Sequence, residues 1–200
     1  MATADESTAK PDALAILTRD HKEVDGLFDK VSEAGPGGLT GGLVAQIVEA
    51  LSVHAAVEEE IIYPAMRTAL PDGEAKVREA IADHQKVKQT LAKLEDLAAI
   101  DDEVLPMVQA LAKDVRAHVA EEEGQLFPQL AEALGEPALQ DMGRAIETAR
   151  KAAPTRPHSD APNEPLANFV AGAVDRVRDV LEEAADKGRE LFESRGKKQP

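Results

Sequence analysis

The 200-residue chain has no cysteine and no tryptophan, and its aromatic content is 2%, with Tyr63 the single tyrosine. Without thiols it can form no disulfide, thiolate metal site, iron–sulfur cluster or cysteine nucleophile, so any metal must be held by His and carboxylate. So few aromatics offer no platform for stacking bases and little support for an aromatic-rich β-sandwich. Basic residues are also in deficit: 23 Lys+Arg stand against 38 Asp+Glu, a net charge of -15 with an isoelectric point of about 4.7. Such a balance argues against a nucleic-acid partner and against a role on anionic lipid. No apolar run approaches the roughly 18 residues of a bilayer span. Residues 1–10 are small, polar and partly acidic, without the basic and apolar blocks of a secretory leader; they read as a flexible N-terminus, and a cytoplasmic location is expected.

What the chain does have is Ala, Leu, Glu and Lys, the composition of helices. Apolar residues recur every three or four positions from about Pro11 to Ala34, Leu43 to Leu70, Asp72 to Ala99 and Glu103 to Leu134. Gly35-Pro36-Gly37-Gly38, Pro71-Asp72-Gly73 and Asp101-Asp102 separate the four runs, and Asp72 is suited to cap the third. Four long helices joined by short loops predict an all-α fold, an antiparallel up-down four-helix bundle. A shorter helix follows at about Pro137 to Ala152, so residues 11–152 read as one unit. Prolines 154, 157, 162 and 165 mark residues 153–165 as a stiff linker, and Leu166 to Phe192 reads as an amphipathic helix within a 166–200 tail. An apolar stripe on that helix would need cover, so residues 166–193 are the expected surface for self-association or partner binding.

An internal repeat runs through the bundle. His54-Ala-Ala-Val-Glu58 precedes Tyr63-Pro64 in the second helix, and His118-Val-Ala-Glu-Glu122 precedes Phe127-Pro128 in the fourth. The first and third helices carry Asp20-His21 and Asp83-His84. Histidine spacings are 63 residues (84 minus 21) and 64 (118 minus 54), so one offset relates the two helical hairpins. A four-residue step on a helix leaves two side chains only about 40° apart. Each HxxxE pair therefore shares a face, and that face carries the apolar stripe of its helix: Ile47, Leu51 and Ile61 in one case, Leu111, Val115 and Leu126 in the other. Four imidazoles and two carboxylates are thus directed at the interior. Buried carboxylates without Arg or Lys at the same depth need a compensating cation, and two metals fit this donor set better than one.

The pattern H…HxxxE…H…HxxxE on four helices resembles the hemerythrin-like, or HHE cation-binding, family over about residues 11–134. The resemblance implies a nonheme di-iron centre, oxo- or hydroxo-bridged, with His21, His54, Glu58, His84, His118 and Glu122 as ligands and the two glutamates bridging. Zinc or manganese would suit the same ligands. Oxygen-carrying members have a further His four residues after the third-helix His; here that position is Lys88, which as an ammonium cannot ligate. The missing ligand leaves roughly two iron positions open, a condition for reaction with a small oxidant such as O2, H2O2 or NO. Peroxide or nitric-oxide detoxification would make the protein an enzyme; an iron- or oxygen-sensing or metal-storage module is the alternative. Around the ligands, Glu59, Glu60 and Glu123 read as a solvated acidic face, and Glu122 is favoured over Glu121 by the repeat. Asp25 stands four residues after His21 as an HxxxD, and reads as a ligand, an outer neighbour of the site or a surface residue. Tyr63 falls on the far side of an ideal helix from His54, although Pro64 is placed to distort that turn. His158, among the prolines, is expected to be exposed.

Overall fold

The computed structural model describes residues 11–35, 40–97 and 102–157, and every regular element among them is helical. The N-terminal segment 1–10, His158, the rest of the linker and the tail helix lie outside the described residues.

Helix α1 (Ala13–Ala34) starts where the Asp12 side chain accepts from Ala15 N at 2.8 Å, which satisfies one of the free N–H groups of the first turn. It ends at Gly35, whose φ of 64° suits glycine. The second long helix is not uniform. Helix α2 (Thr40–Val57) runs into a π-helical turn at Glu58–Ile62 and emerges as α3 (Tyr63–Ala69). The fourth does the same: α5 (Val104–Glu121), a π turn at Glu122–Leu126, then α6 (Phe127–Leu134). Pro64 and Pro128 account for both. Each lacks an N–H and would crowd the carbonyl four residues back. The chain makes room by widening the preceding turn, so that Tyr63 N–H bonds Glu58 O and Phe127 N–H bonds Glu122 O, five residues apart.

Helix α4 (Gly73–Asp96) follows a tight corner in which Asp72 takes the left-handed conformation (φ 55°). The expected side-chain cap by Asp72 is not formed; its backbone carbonyl accepts from Ala75 N and Lys76 N instead. Gly73 is required here, because a Cβ would stand 2.2 Å from Met66 O. The last helix among the described residues, α7 (Glu136–Ala149), follows Gly135.

The long helices close a ring, α1 against α2, α2 and α3 against α4, α4 against α5, and α5 against α1. This is the expected four-helix bundle with a short extra helix, α7, packed along α1. Two apolar clusters fill it. One, with Phe28, Ile47, Leu91, Val108 and Leu111, occupies the end near the α1–α2 connection; the other, with Ile16, Ile61, Met66, Leu130, Met142 and Ile146, is completed by α7. The six polar residues singled out by the repeat lie at the boundary between them.

Candidate metal centre

Histidines at 21, 54, 84 and 118, one from each long helix, turn their Nε2 atoms toward a common point flanked by Glu58 and Glu122. His21 Nε2 and His54 Nε2 are 3.1 Å apart. Glu58 Oε2 lies 3.1 Å from His54 Nε2 and 3.3 Å from His84 Nε2; Glu122 lies 3.2 Å from His118 Nε2 through Oε1 and 3.5 Å from His21 Nε2 through Oε2. Both carboxylates are fully buried. Each glutamate therefore spans two histidines on two helices, one from each half of the repeat.

The approach is close, yet the directions are wrong for hydrogen bonds. Neither oxygen of Glu58, nor Glu122 Oε2, nor His118 Nε2 has a hydrogen-bond partner. Leaving a carboxylate in a core without hydrogen bonds costs on the order of several kcal/mol. His21 Nε2 and His54 Nε2 share a hydrogen bond, but these four atoms crowd their neighbours unbonded, an arrangement around a shared point such as ligands take around a cation. Two groups emerge: His21, His54, Glu58 and Glu122, and Glu58, His84 and His118, with the donor atoms of each within 4.8 Å of one another. All six predicted residues are thus brought together. The chemistry of the set, neutral imidazole and carboxylate, suits divalent iron, manganese or zinc.

In the metal-free protein, protons take the cation's part. Burial works against charge on His84, but contact with the carboxylates of Glu58 and Glu59 raises it to about 9. Burial likewise opposes, and Glu58 and Glu122 overcome, a raised value for His54. Burial would push Glu58 up, yet His54 and His84 hold it well below the usual carboxylate range; Glu122 is lowered too, by His118 and His21, against burial and the like charge of Glu58.

Two of the outward nitrogens are also held. His84 Nδ1 donates to Glu59 Oε1 at 2.9 Å, and Lys88 Nζ donates to both oxygens of Glu59 at 2.7 Å. His21 Nδ1 donates to Glu123 Oε1 at 2.7 Å. Such outer partners fix the tautomer that presents Nε2 inward. The expectation of a solvated face is therefore corrected for Glu59; Glu123 is exposed as expected, and holds His21 Nδ1 from that position. A π turn advances through fewer degrees per residue than an α turn, which brings the residue after each buried glutamate round to the neighbouring helix. Glu60 is corrected as well: it is 9% exposed, and burial raises its carboxyl. Glu121, by contrast, is exposed, leaving Glu122 at the site.

The same turn moves Tyr63 inward. It is fully buried, with Oη 3.0 Å from His84 Nε2 and 3.4 Å from Glu122 Oε1, and burial together with Glu58 and Glu122 drives its phenol well above its ordinary value. Its repeat counterpart Phe127 stacks on His21, centroids 5.9 Å apart at 13°. Asp25 is a surface residue, bonded at 2.6 Å to Arg116 Nε. The matched Pro64 and Pro128 were the sequence signal for these shifts; Lys88 as a partner of Glu59 had none.

Beside the histidines lies a cavity of about 20 Å3 walled by Val24, Leu51, Val87, Val115 and Val119. The first four are repeat mates, 24 with 87 and 51 with 115. No helix among the described residues is long and apolar enough to cross a membrane.

Residues 12–130 match the family model of the hemerythrin HHE cation binding domain. Among curated proteins, an uncharacterized hemerythrin-like protein of Schizosaccharomyces pombe is 27% identical over 171 residues, 83% of this chain and 84% of that one. A DNA nickase of Nostoc is 29% identical over 112 residues, 56% of this chain and only 31% of that relative's length. Among solved structures, a hemerythrin HHE cation binding domain-containing protein from Mycobacterium kansasii superposes with a TM-score of 0.62 at 22% identity, covering 71% of this chain and 86% of that one.

Proposed function

The chain belongs to the hemerythrin HHE cation binding domain family, and on that premise we propose that it is a cytoplasmic nonheme di-iron protein that binds or turns over a small oxidant, O2, H2O2 or NO. His21, His54, His84 and His118 are the proposed nitrogen ligands, and Glu58 and Glu122 the proposed bridging carboxylates. The observation that carries this reading is the pair of buried glutamates, each against two histidines from different halves of the repeat and together left with three oxygens free of hydrogen bonds.

A bound di-iron pair would supply the electrons for oxidant chemistry. The protein's part is to hold the Nε2 atoms inward through Glu59 and Glu123, to exclude bulk water with two apolar clusters, and to offer a small space beside the histidines. A cavity of about 20 Å3 with valine walls has room for a water-sized or diatomic guest and few polar groups to order water. Tyr63 places a phenol proton beside His84 and Glu122, on one side of the centre.

The test is metal analysis with an optical spectrum on protein purified without added metal. About two irons per chain with near-ultraviolet absorption perturbed by azide or nitrite, and repeated consumption of peroxide, would support an oxidant-processing centre. Bound iron that leaves peroxide untouched would point to sensing or storage, and a helical protein that refuses iron would remove the reading.

A further inference from the structure

An arginine reaches the site from outside the repeat. Arg150, immediately after α7, has its guanidinium Nη2 on Asp20 Oδ2, 130 residues away in sequence. Asp20 is 8% exposed, and its Oδ2 lies 3.6 Å from His54 Nδ1, the outward nitrogen of a proposed ligand. That nitrogen is itself buried without a hydrogen-bond partner. When Nε2 of an imidazole binds a cation, the ring proton sits on Nδ1 and calls for an acceptor. Asp20 is the acceptor in place, and an unpaired carboxylate at that depth would be costly. Arg150 neutralises it and fixes the oxygen that faces the ring.

The anchor is firm. At Gly143 of α7 a Cβ would stand 2.7 Å from Pro11 O, so the two backbones are in direct contact beside the start of α1. The other half of the repeat has no copy of this device. Asp83 occupies the position of Asp20, but it pairs at 2.6 Å with Lys86 of its own helix, whose side chain is 67% exposed. A pair of that kind is worth little.

We infer that Arg150 is a positioning residue of the metal centre, which holds Asp20 against the outward nitrogen of His54 and so supports only the cation position built from His21 and His54. Helix α7 is then part of the site's supporting layer as well as a cover for the core. The inference rests on the proposed metal-binding reading.

Anaerobic titration of full-length metal-free protein with Co(II), followed by visible absorption, tests it without any activity assay. Wild type should take two equivalents. Arg150→Ala and the near-isosteric Arg150→Gln should bind one as wild type does and the other roughly 10-fold or more weakly. Arg150→Lys should recover most of the loss, and Lys86→Ala should change neither step. Equal weakening of both steps in parallel with a fall in Tm would make Arg150 merely structural and overturn the inference. So would two unaltered steps. Wild-type protein that takes up no Co(II) would overturn the metal-binding reading itself.

Discussion

The two helical hairpins carry the same three donors, two histidines and a glutamate, and surround them differently. In both, a buried glutamate follows a histidine by four residues, a proline follows by six more, and a π turn lies between. Yet His84 of the second hairpin is backed by Glu59 with Lys88 behind it, whereas His21 of the first is backed by Glu123, whose side chain is 36% exposed. Tyr63 faces His84, while Phe127 faces His21. The repeat thus places the donors, and the residues that depart from it make the two cation positions chemically unequal. Both glutamates reach a histidine of each half, but Glu58 lies within 4.8 Å of every donor in both groups and Glu122 only in the first, so the two proposed bridges are held unequally.

The largest effect expected from breaking this arrangement is at Glu58. Glu58→Ala should cut metal content at least tenfold, because both groups lose a carboxylate, whereas Glu122→Ala should leave a measurable fraction bound. Elemental analysis distinguishes them, and equal retention in the two variants would remove the distinction. Next come the outer partners. Glu59→Ala frees His84 and strands Lys88, which is 15% exposed, so it should weaken metal affinity roughly 10- to 100-fold; Glu123→Ala, acting at a more solvated carboxylate, should cost less. Isothermal titration reads both, and a larger loss at Glu123 would reverse the ranking.

The pH dependence of the metal-free protein is the third test. His84 rises from 6.5 to about 9 on folding, so its contribution is complete below 6.5 and is lost as pH climbs through 9. Glu58, Glu59 and Glu122 are depressed from 4.5, so theirs is complete above 4.5 and is lost as pH falls through their lowered values. Metal-free Tm should therefore be highest between about 4.5 and 6.5 and decline toward 9, while metal uptake, which displaces those protons, tightens over the same rise. A metal-free Tm that increases from pH 6.5 to 9 would contradict the protonation scheme. The smallest effect is Tyr63→Phe, which makes the two hairpins alike. It should cost about 1 kcal/mol in denaturant unfolding and alter the spectrum of the loaded centre without emptying it.

How legible this was depended on what kind of signal each feature leaves. The bundle and the six donors follow from periodicity and from an offset of 63 or 64 residues, both local properties of the sequence. An ideal 3.6-residue wheel misplaces Glu59 and Tyr63, and one widened turn is enough to bring both to the site, while a second such turn carries Glu123 to His21. Pro64 and Pro128 announced that turn, but the direction of the shift depends on which carbonyl each proline must avoid. The cap expected of Asp72 gave way to a left-handed corner, since Gly73 lets the chain pass against the Met66 carbonyl. Arg150 and Asp20 meet only because α7 folds back along α1, a tertiary event that leaves no trace in spacing.

The central claim, two unequal cation positions sharing Glu58, is tested most directly by anaerobic titration of metal-free protein with 57Fe(II) and Mössbauer spectroscopy at each step. Saturation at two irons per chain with two distinguishable quadrupole doublets, both missing in Glu58→Ala, is the expected result. Saturation at one iron, or full uptake by Glu58→Ala, would contradict it.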